Sequence, residues 1–216
     1  MSVMTDWLLD LLYPPKCVIC RRVMDNGSLL CPDCGAKLPR VETDRQKQSL
    51  PPLNACISPL YYTGPFREAF LRYKFRGLTV YSRVFGELMA DSLRSHMPEN
   101  LDVITWAPLS RSRKRSRGYD QAELLAAEVA KRTGQKLERL LVKTKNNPAQ
   151  SGQQSREARE QNVQGVYRQA RNLQGEHILL VDDIVTTGAT LRSAASVLLE
   201  AGASEVTALT LARADQ

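Results

Sequence analysis

The residues best equipped for chemistry lie in Ile178-Leu-Leu-Val-Asp182-Asp183-Ile-Val-Thr186-Thr187-Gly188-Ala189-Thr190-Leu191, where an aliphatic run meets two carboxylates and a Thr/Gly turn. Ionised carboxylates only accept hydrogen bonds, so Asp182 and Asp183 suit hydroxyls and would repel a phosphate set on them. The turn has the opposite preference. Thr190 to Glu200 has helical spacing, so hydroxyls and backbone N–H groups of Thr186, Thr187, Gly188, Ala189 and Thr190 would gather at the positive end of a helix, which suits a phosphate. A ribose 5-phosphate needs both. The four aliphatics predict a strand buried on both faces and ending at the aspartates. A magnesium-holding ATPase strand would need an upstream G-x-x-x-x-G-K-[ST] loop, and the chain has no Gly-Lys pair. Helix capping alone would account for only one of the two carboxylates.

A second constellation is Cys17-Val-Ile-Cys20, ten further residues containing the turn Asp25-Asn26-Gly27, and Cys31-Pro-Asp-Cys34. Two C-x-x-C knuckles facing one another supply the four thiolates of a tetrahedral zinc site: Cys17, Cys20, Cys31 and Cys34. Iron of the rubredoxin kind fits the same donors, and the spacing does not choose between them. Two disulfides would need an oxidising compartment. The N-terminus lacks a basic region, and Trp7 to Tyr13 is interrupted by Asp10 and too short to span a bilayer, so the expectation is a cytoplasmic protein without a membrane span. Cys56 reads as a small buried residue.

Lys and Arg outnumber Asp and Glu by 30 to 23, a formal +7 that favours anionic partners. Five cations, Arg111, Arg113, Lys114, Arg115 and Arg117, crowd into seven positions between a predicted strand, Leu101 to Pro108, and a predicted helix, Glu123 to Lys131. Loops after the C-terminal ends of parallel strands line the ligand crevice, so this run reads as an anion-binding loop facing the Asp182 turn, with pyrophosphate the natural occupant. The bland reading of such a run is a solvated patch.

At 216 residues and 43% hydrophobic, the chain can bury one core and carry a small appendage. A helix is expected from Thr5 to Leu12 and a linker over 38–53, followed by a strand from Ala55 to Tyr62. In the helix from Phe66 to Lys74, Phe66, Ala69, Phe70 and Tyr73 share the core face, and Arg67, Arg72 and Lys74 belong to a solvated one. A helix over 80–96, strands over 137–142 and 205–213, and a long polar segment over 143–161 that reads as a lid complete the alternation of an α/β protein with a mostly parallel sheet.

Taken together, the four cysteines, Tyr62 to Arg67 (Tyr-x-Gly-x-x-Arg), Lys74 to Gly77 (Lys-Phe-x-Gly), Arg117-Gly-Tyr119-Asp-Gln121, the Gln/Arg/Asn-rich segment with Gln150, Arg159, Asn162 and Gly165, and the Asp-Asp turn resemble the ComF family of competence-associated proteins. The turn itself looks like the phosphoribosyl pyrophosphate (PRPP) loop of type I phosphoribosyltransferases. The resemblance implies a type I phosphoribosyltransferase-like, mostly parallel sheet flanked by helices over 54–216, preceded by a helix and zinc knuckle over 1–40. It implies that Asp182 and Asp183 hold the ribose hydroxyls directly or through Mg²⁺. Thr186 to Thr190 would hold the 5-phosphate, and Arg113, Arg115 and Arg117 the pyrophosphate, with Tyr119 and Gln121 supporting them. Structural Zn²⁺ and Mg²⁺ with PRPP are the implied cofactors. DNA uptake or use of external DNA is the implied setting, with single-stranded DNA and a helicase-like protein as candidate partners. The alternative is a non-catalytic DNA- or partner-binding module in which the PRPP site is a sensor or relic. Purine-salvage transferases carry Glu-Asp-Ile-Ile-Asp-Thr-Gly, and Thr186 stands where their candidate base, an aspartate, lies. No general base is therefore named, and Lys143, Lys145 and the arginines of 143–161 are the groups at hand.

Overall fold

The computed structural model describes residues 14–24, 27–98, 100–144 and 166–214. Its strands are β1 (Lys47–Leu50), β2 (Leu53–Ile57), β3 (Leu60–Tyr61), β4 (Val103–Trp106), β5 (Leu141–Lys143), β6 (Tyr167–Gln169), β7 (His177–Val185) and β8 (Glu205–Arg213). The helices are α1 (Pro32–Ala36), α2 (Gly64–Phe75), α3 (Tyr81–Ser95), α4 (Arg111–Arg117), α5 (Gln121–Thr133) and α6 (Ala189–Glu200). The main sheet runs β1-β2-β8-β7-β4 with β3 also beside β8, and β5 and β6 form a separate antiparallel ribbon. All main-sheet pairings are parallel except β1 with β2.

The period-2 alternation of β7 explains its central place. Leu179 and Val181 point into a core built with α2, α3 and α5, whereas Ile178 and Leu180 point into one built with α6 and the β5–β6 ribbon. On the first face Phe85 is packed edge-on by Phe66 at 5.7 Å, Tyr73 at 5.5 Å and Tyr81 at 5.9 Å. Val18 and Leu38 from the cysteine-rich segment join this same core, so the N-terminal knuckle is packed against the sheet's helices.

Several expectations are corrected. The stretch read as a linker contains β1, whose Leu50 is buried; its polar composition belongs to an edge strand with one side open to water. The strand expected from Ala55 to Tyr62 divides at Ser58-Pro59, as a proline without an N–H requires of a ladder. β7 continues through both aspartates to Val185. The strand expected over 137–142 gives the main sheet only a bridge at Leu137, and β5 starts later and pairs with β6. The segment read as a lid therefore springs from a ribbon on the sheet's face. Its residues from Lys145 onward, including Gln150, Arg159, Asn162 and Gly165, and the expected helix from Thr5 to Leu12 lie outside the described residues.

The approach of α3 to α5 leaves no room at Gly86, where an added Cβ would stand 2.3 Å from Cβ of Glu128. The overpacking cost of about 1–3 kcal/mol should outweigh the roughly 1 kcal/mol that alanine adds to helix propensity. Gly86→Ala is thus expected to lower the urea midpoint of unfolding without changing the slope. A variant as stable as the parent would show that the two helices part freely.

Candidate functional site

The parallel register sets where the chemistry stands. β4 pairs with β7 up to Trp106 opposite Val181, and the Ala107 N–H makes a last bond to the Val181 carbonyl at 2.9 Å. β4 then turns away through Pro108, while β7 runs on beside β8 until Val185 lies opposite Arg213. Asp182 and Asp183 thus sit just past the point where one neighbour leaves, at the carboxyl edge of the sheet, where parallel α/β folds open their crevices.

Two adjacent carboxylates need compensation. The Asp182 Oδ1 accepts the Asp183 N–H at 2.8 Å and the Asp183 Oδ1 accepts the Ile184 N–H at 2.6 Å. Lys74, at the end of α2, places its Nζ 3.3 Å from the Asp183 Oδ2. Among the described residues Asp182 has no such partner: burial, and then the Asp183 charge, push its carboxyl up to about 8. Part of its surface remains open to the crevice, which moderates the cost of ionising it. Nearby, Lys143 donates to the Tyr167 hydroxyl at 3.4 Å, and burial, followed by the charge of Arg113, pulls its ammonium below the usual lysine range.

The cation run forms a helix, not the loop expected from its charge. Ser110 caps α4 by accepting the Arg113 N–H at 3.4 Å, and Gly118, at φ 82°, ends it. Asp120, buried, holds both flanks by accepting the Leu109 N–H at 2.8 Å and the Glu123 N–H at 3.4 Å. The following residues tie α4 to α2. Tyr119 donates its hydroxyl to the Tyr73 carbonyl, Gln121 its amide to the Lys74 carbonyl at 3.3 Å, and Tyr73 its hydroxyl to the Gln121 carbonyl at 3.0 Å. Arg117 lies over the exposed ring of Phe75 at 5.1 Å and donates to Gln121 at 3.0 Å. The result is a cavity of about 340 Å³ lined by Lys74, Phe75, Gly77, Arg113, Ser116, Arg117 and Tyr119. Arg115 is exposed and does not line it.

Thr186 to Thr190 form the turn into α6. Gly188 is in the left-handed region at φ 77°, which favours glycine, and an added Cβ would also press on Leu50 Cδ1 at 2.6 Å. Arg192 fixes the turn from within α6 by donating to the Thr187 carbonyl at 2.7 Å and the Pro51 carbonyl at 3.0 Å. The Ala189 N–H reaches the Thr187 hydroxyl at 3.4 Å, and the side chains of Thr186 and Thr190 face solvent.

The second site lies along another side of α2. The sulfur atoms of Cys17, Cys20, Cys31 and Cys34 all lie within 4.8 Å of one another. Cys20 and Cys31 are 3.9 Å apart, close to the roughly 3.8 Å edge of a tetrahedron with Zn–S bonds of about 2.3 Å. The Cys31 N–H points to the Cys17 sulfur at 3.5 Å. Burial opposes the Cys17 thiolate, but N–H groups of Cys31, Cys20 and Ile19 outweigh it and hold the thiol at about 6. Burial and the neighbouring sulfurs push Cys34 up to about 12. Four sulfurs this close cannot all ionise unaided, and a divalent cation among them removes the conflict, so the donor set fits structural zinc.

Comparison with known proteins matches both parts of the chain. A phosphoribosyl transferase domain model matches residues 119–216 and a double zinc ribbon model matches residues 8–45. Competence protein ComFC of Bacillus subtilis is 31% identical over 202 residues, covering 91% of this chain and 77% of its own. The chain belongs to the ComF family. DNA utilization protein YhgH of Salmonella typhi is 30% identical over 203 residues, covering 91% of this chain and 89% of its own. Among solved structures, the allosteric regulatory enzyme of purine biosynthesis aligns with 60% of this chain and 25% of its own at 26% identity and a TM-score of 0.42, too loose to carry argument. The ComF fold here is the mostly parallel α/β sheet with a phosphoribosyltransferase-like domain and an N-terminal four-cysteine zinc ribbon. No helix among the described residues is long and apolar enough to cross a membrane.

Asp183 pairs with Lys74, which lines the cavity together with Arg113 and Arg117, and its charge acts on Arg117; the Thr186–Thr190 turn follows β7 on the same edge of the sheet. Gln121 is buried and joins the two helices. Sequence reasoning assigned Lys74 and Arg72 to a solvated face, and both are engaged. Their partners are remote in sequence, so helical periodicity carried no trace of them; the only signal was Lys-Phe-x-Gly at a helix end.

A carboxyl whose folded value is raised above the ordinary value near 4 lowers stability as pH climbs from about 4 through about 8. Asp182→Asn removes that loss. Its melting temperature relative to the parent should therefore rise between about pH 4 and about pH 8 and level off above. An offset independent of pH would mean that Asp182 ionises freely in the folded protein.

Proposed function

We propose that this ComF protein binds phosphoribosyl pyrophosphate in the crevice at the carboxyl edge of β7, as a phosphoribosyltransferase-like protein serving in the uptake or use of external DNA in the cytoplasm. The observation that carries the reading is the Lys74–Asp183 pair at 3.3 Å beside a cavity lined by Arg113 and Arg117. Opposite charges are held together where one ligand would use them separately. The ribose hydroxyls take Asp182 and Asp183 as acceptors, and the pyrophosphate takes Lys74, Arg113 and Arg117 as donors. The 5-phosphate falls to Thr186, Thr187, Gly188, Ala189 and Thr190, at the opening of a helix of 12 residues. The carboxylate pair also suits Mg²⁺, which when bound neutralises charge on the leaving pyrophosphate. The side chains orient the ribose, screen the leaving group and leave its C1 open to an acceptor.

In calorimetric titration, PRPP with Mg²⁺ should bind the zinc-loaded protein, and Asp182→Asn/Asp183→Asn should abolish the heat while remaining folded. A folded parent that binds nothing sinks the proposal. Thr186 has no carboxylate to accept a proton from a purine, so hypoxanthine and guanine should not be ribosylated at a rate above a no-enzyme control. Turnover of either would overturn that part of the reading.

The family relatives named for competence and DNA utilization support the DNA setting. A second reading, as a binding module, draws on one feature. Arg21, Arg22 and Lys37 line a cleft of about 530 Å³ beside the cysteine cluster, shared with Asp33 and Glu68, where they would meet an anionic strand. If so, single-stranded DNA binding should fall steeply with salt, and Arg21→Glu/Lys37→Glu should flatten the slope. Binding that is absent or insensitive to salt removes this reading and leaves the PRPP site standing.

A further inference from the structure

α2 touches both functional sites. At one side Arg72 donates through a single Nη2 to the Val18 carbonyl at 2.9 Å and the Ile19 carbonyl at 2.6 Å. These are the two residues between Cys17 and Cys20, so the guanidinium grips the backbone of the first metal knuckle from within. Val18 is fully buried in the core that α2 shares with β7, which packs the knuckle against the helix. Two residues further on, Lys74 pairs with Asp183. Between them Tyr73 is buried, gives its hydroxyl to the Gln121 carbonyl and accepts that of Tyr119. The last turn of α2 is therefore bonded at once to the cysteine cluster, to the aspartate pair and to the residues after α4.

The grip on the knuckle is costly to lose. The Arg72 Nε is already buried without a hydrogen-bond partner among the described residues. If the cysteines release their metal and the Val18–Ile19 carbonyls turn away, the half-buried guanidinium loses these acceptors, and a charged donor is costlier to leave unpaired than a neutral one. Arg72 would then turn toward the open cleft beside the cluster, and the last turn of α2 would lose its anchor on the knuckle. Lys74, two residues on, would then leave Asp183.

We propose that Arg72 is a positioning residue that couples occupancy of the four-cysteine site to the PRPP site, a relation resting on the reading of that crevice given above. Metal in the knuckle holds Arg72, Arg72 holds the last turn of α2, and that turn presents Lys74 to the ligand. Coupling between two binding equilibria is reciprocal, so PRPP must tighten zinc by the same factor that zinc tightens PRPP, with about tenfold expected for contacts of this kind.

The test measures both directions on the full chain in excess Mg²⁺. Zinc affinity is read by equilibrium competition with a chromogenic chelator, with and without saturating PRPP, and PRPP affinity by calorimetry before and after zinc depletion. In the parent both should change by the same factor, while Asp182→Asn/Asp183→Asn, which cannot hold the ligand, shows no effect of PRPP on zinc. Arg72→Met should bring both factors close to one, and Arg72→Lys, able to reach one carbonyl, should restore part of them. A parent that binds PRPP yet keeps the same zinc affinity overturns the coupling without any variant being needed. A zinc-loaded parent that binds no PRPP overturns the underlying reading of the crevice, a distinguishable result. Zinc depletion that leaves PRPP affinity unchanged in a folded protein also rejects the coupling.

Discussion

A lysine ammonium set against one of two neighbouring carboxylates is the interaction on which this site depends. A strand buried on both faces cannot carry Asp182 and Asp183 to its end at no cost, because each loses solvation and repels the other. Lys74 relieves Asp183, and Asp182 responds by holding its proton to higher pH. The helix that brings Lys74 must be held in place. Tyr73, Tyr119 and Gln121 secure its last turn from the sheet side, and Arg72 secures it from the knuckle.

The same arrangement explains why the cation run is ordered. Arginines on a short surface helix would ordinarily disperse into solvent, but Arg117 is stacked on Phe75 and bonded to Gln121, and Asp120 fixes the backbone on both flanks. Burial pulls the Arg117 guanidinium below its usual range, and the charge of Asp183 acts against that. The crevice holds both signs of charge in close quarters, an arrangement that would need little reorganisation to take the proposed ligand.

Much of this was legible in the sequence because it is local. The aliphatic run of β7, the Gly188 turn, the cysteine spacing and the core face of α2 all follow from period and residue type within a few positions. What escaped depends on partners far along the chain. β1 hides in a polar stretch because an edge strand needs only Leu50 inside. α4 reads as loop because its composition is nearly all charge, although Ser110 and Gly118, the residues that start and stop it, were written in the sequence. Lys74 and Arg72 look like solvent-facing residues of an amphipathic helix, and only the packing of knuckle and sheet on either side makes them structural. Periodicity identifies the buried face of a helix and says nothing of which flanking cations will find a mate.

The close seat of Gly188 on Leu50 bears on how such a protein can be taken apart or recombined. Leu50 belongs to the antiparallel edge strand that follows the cysteine segment, yet its methyl groups fill the space beneath the turn that opens α6. A cut placed after Pro52 would separate the two parts of the chain at their apparent seam and would also remove the floor from under that turn. Modularity here is thus a property of the sequence pattern more than of the packing. An exchange of cysteine segments between relatives would have to leave residues 47–50 with the sheet they complete.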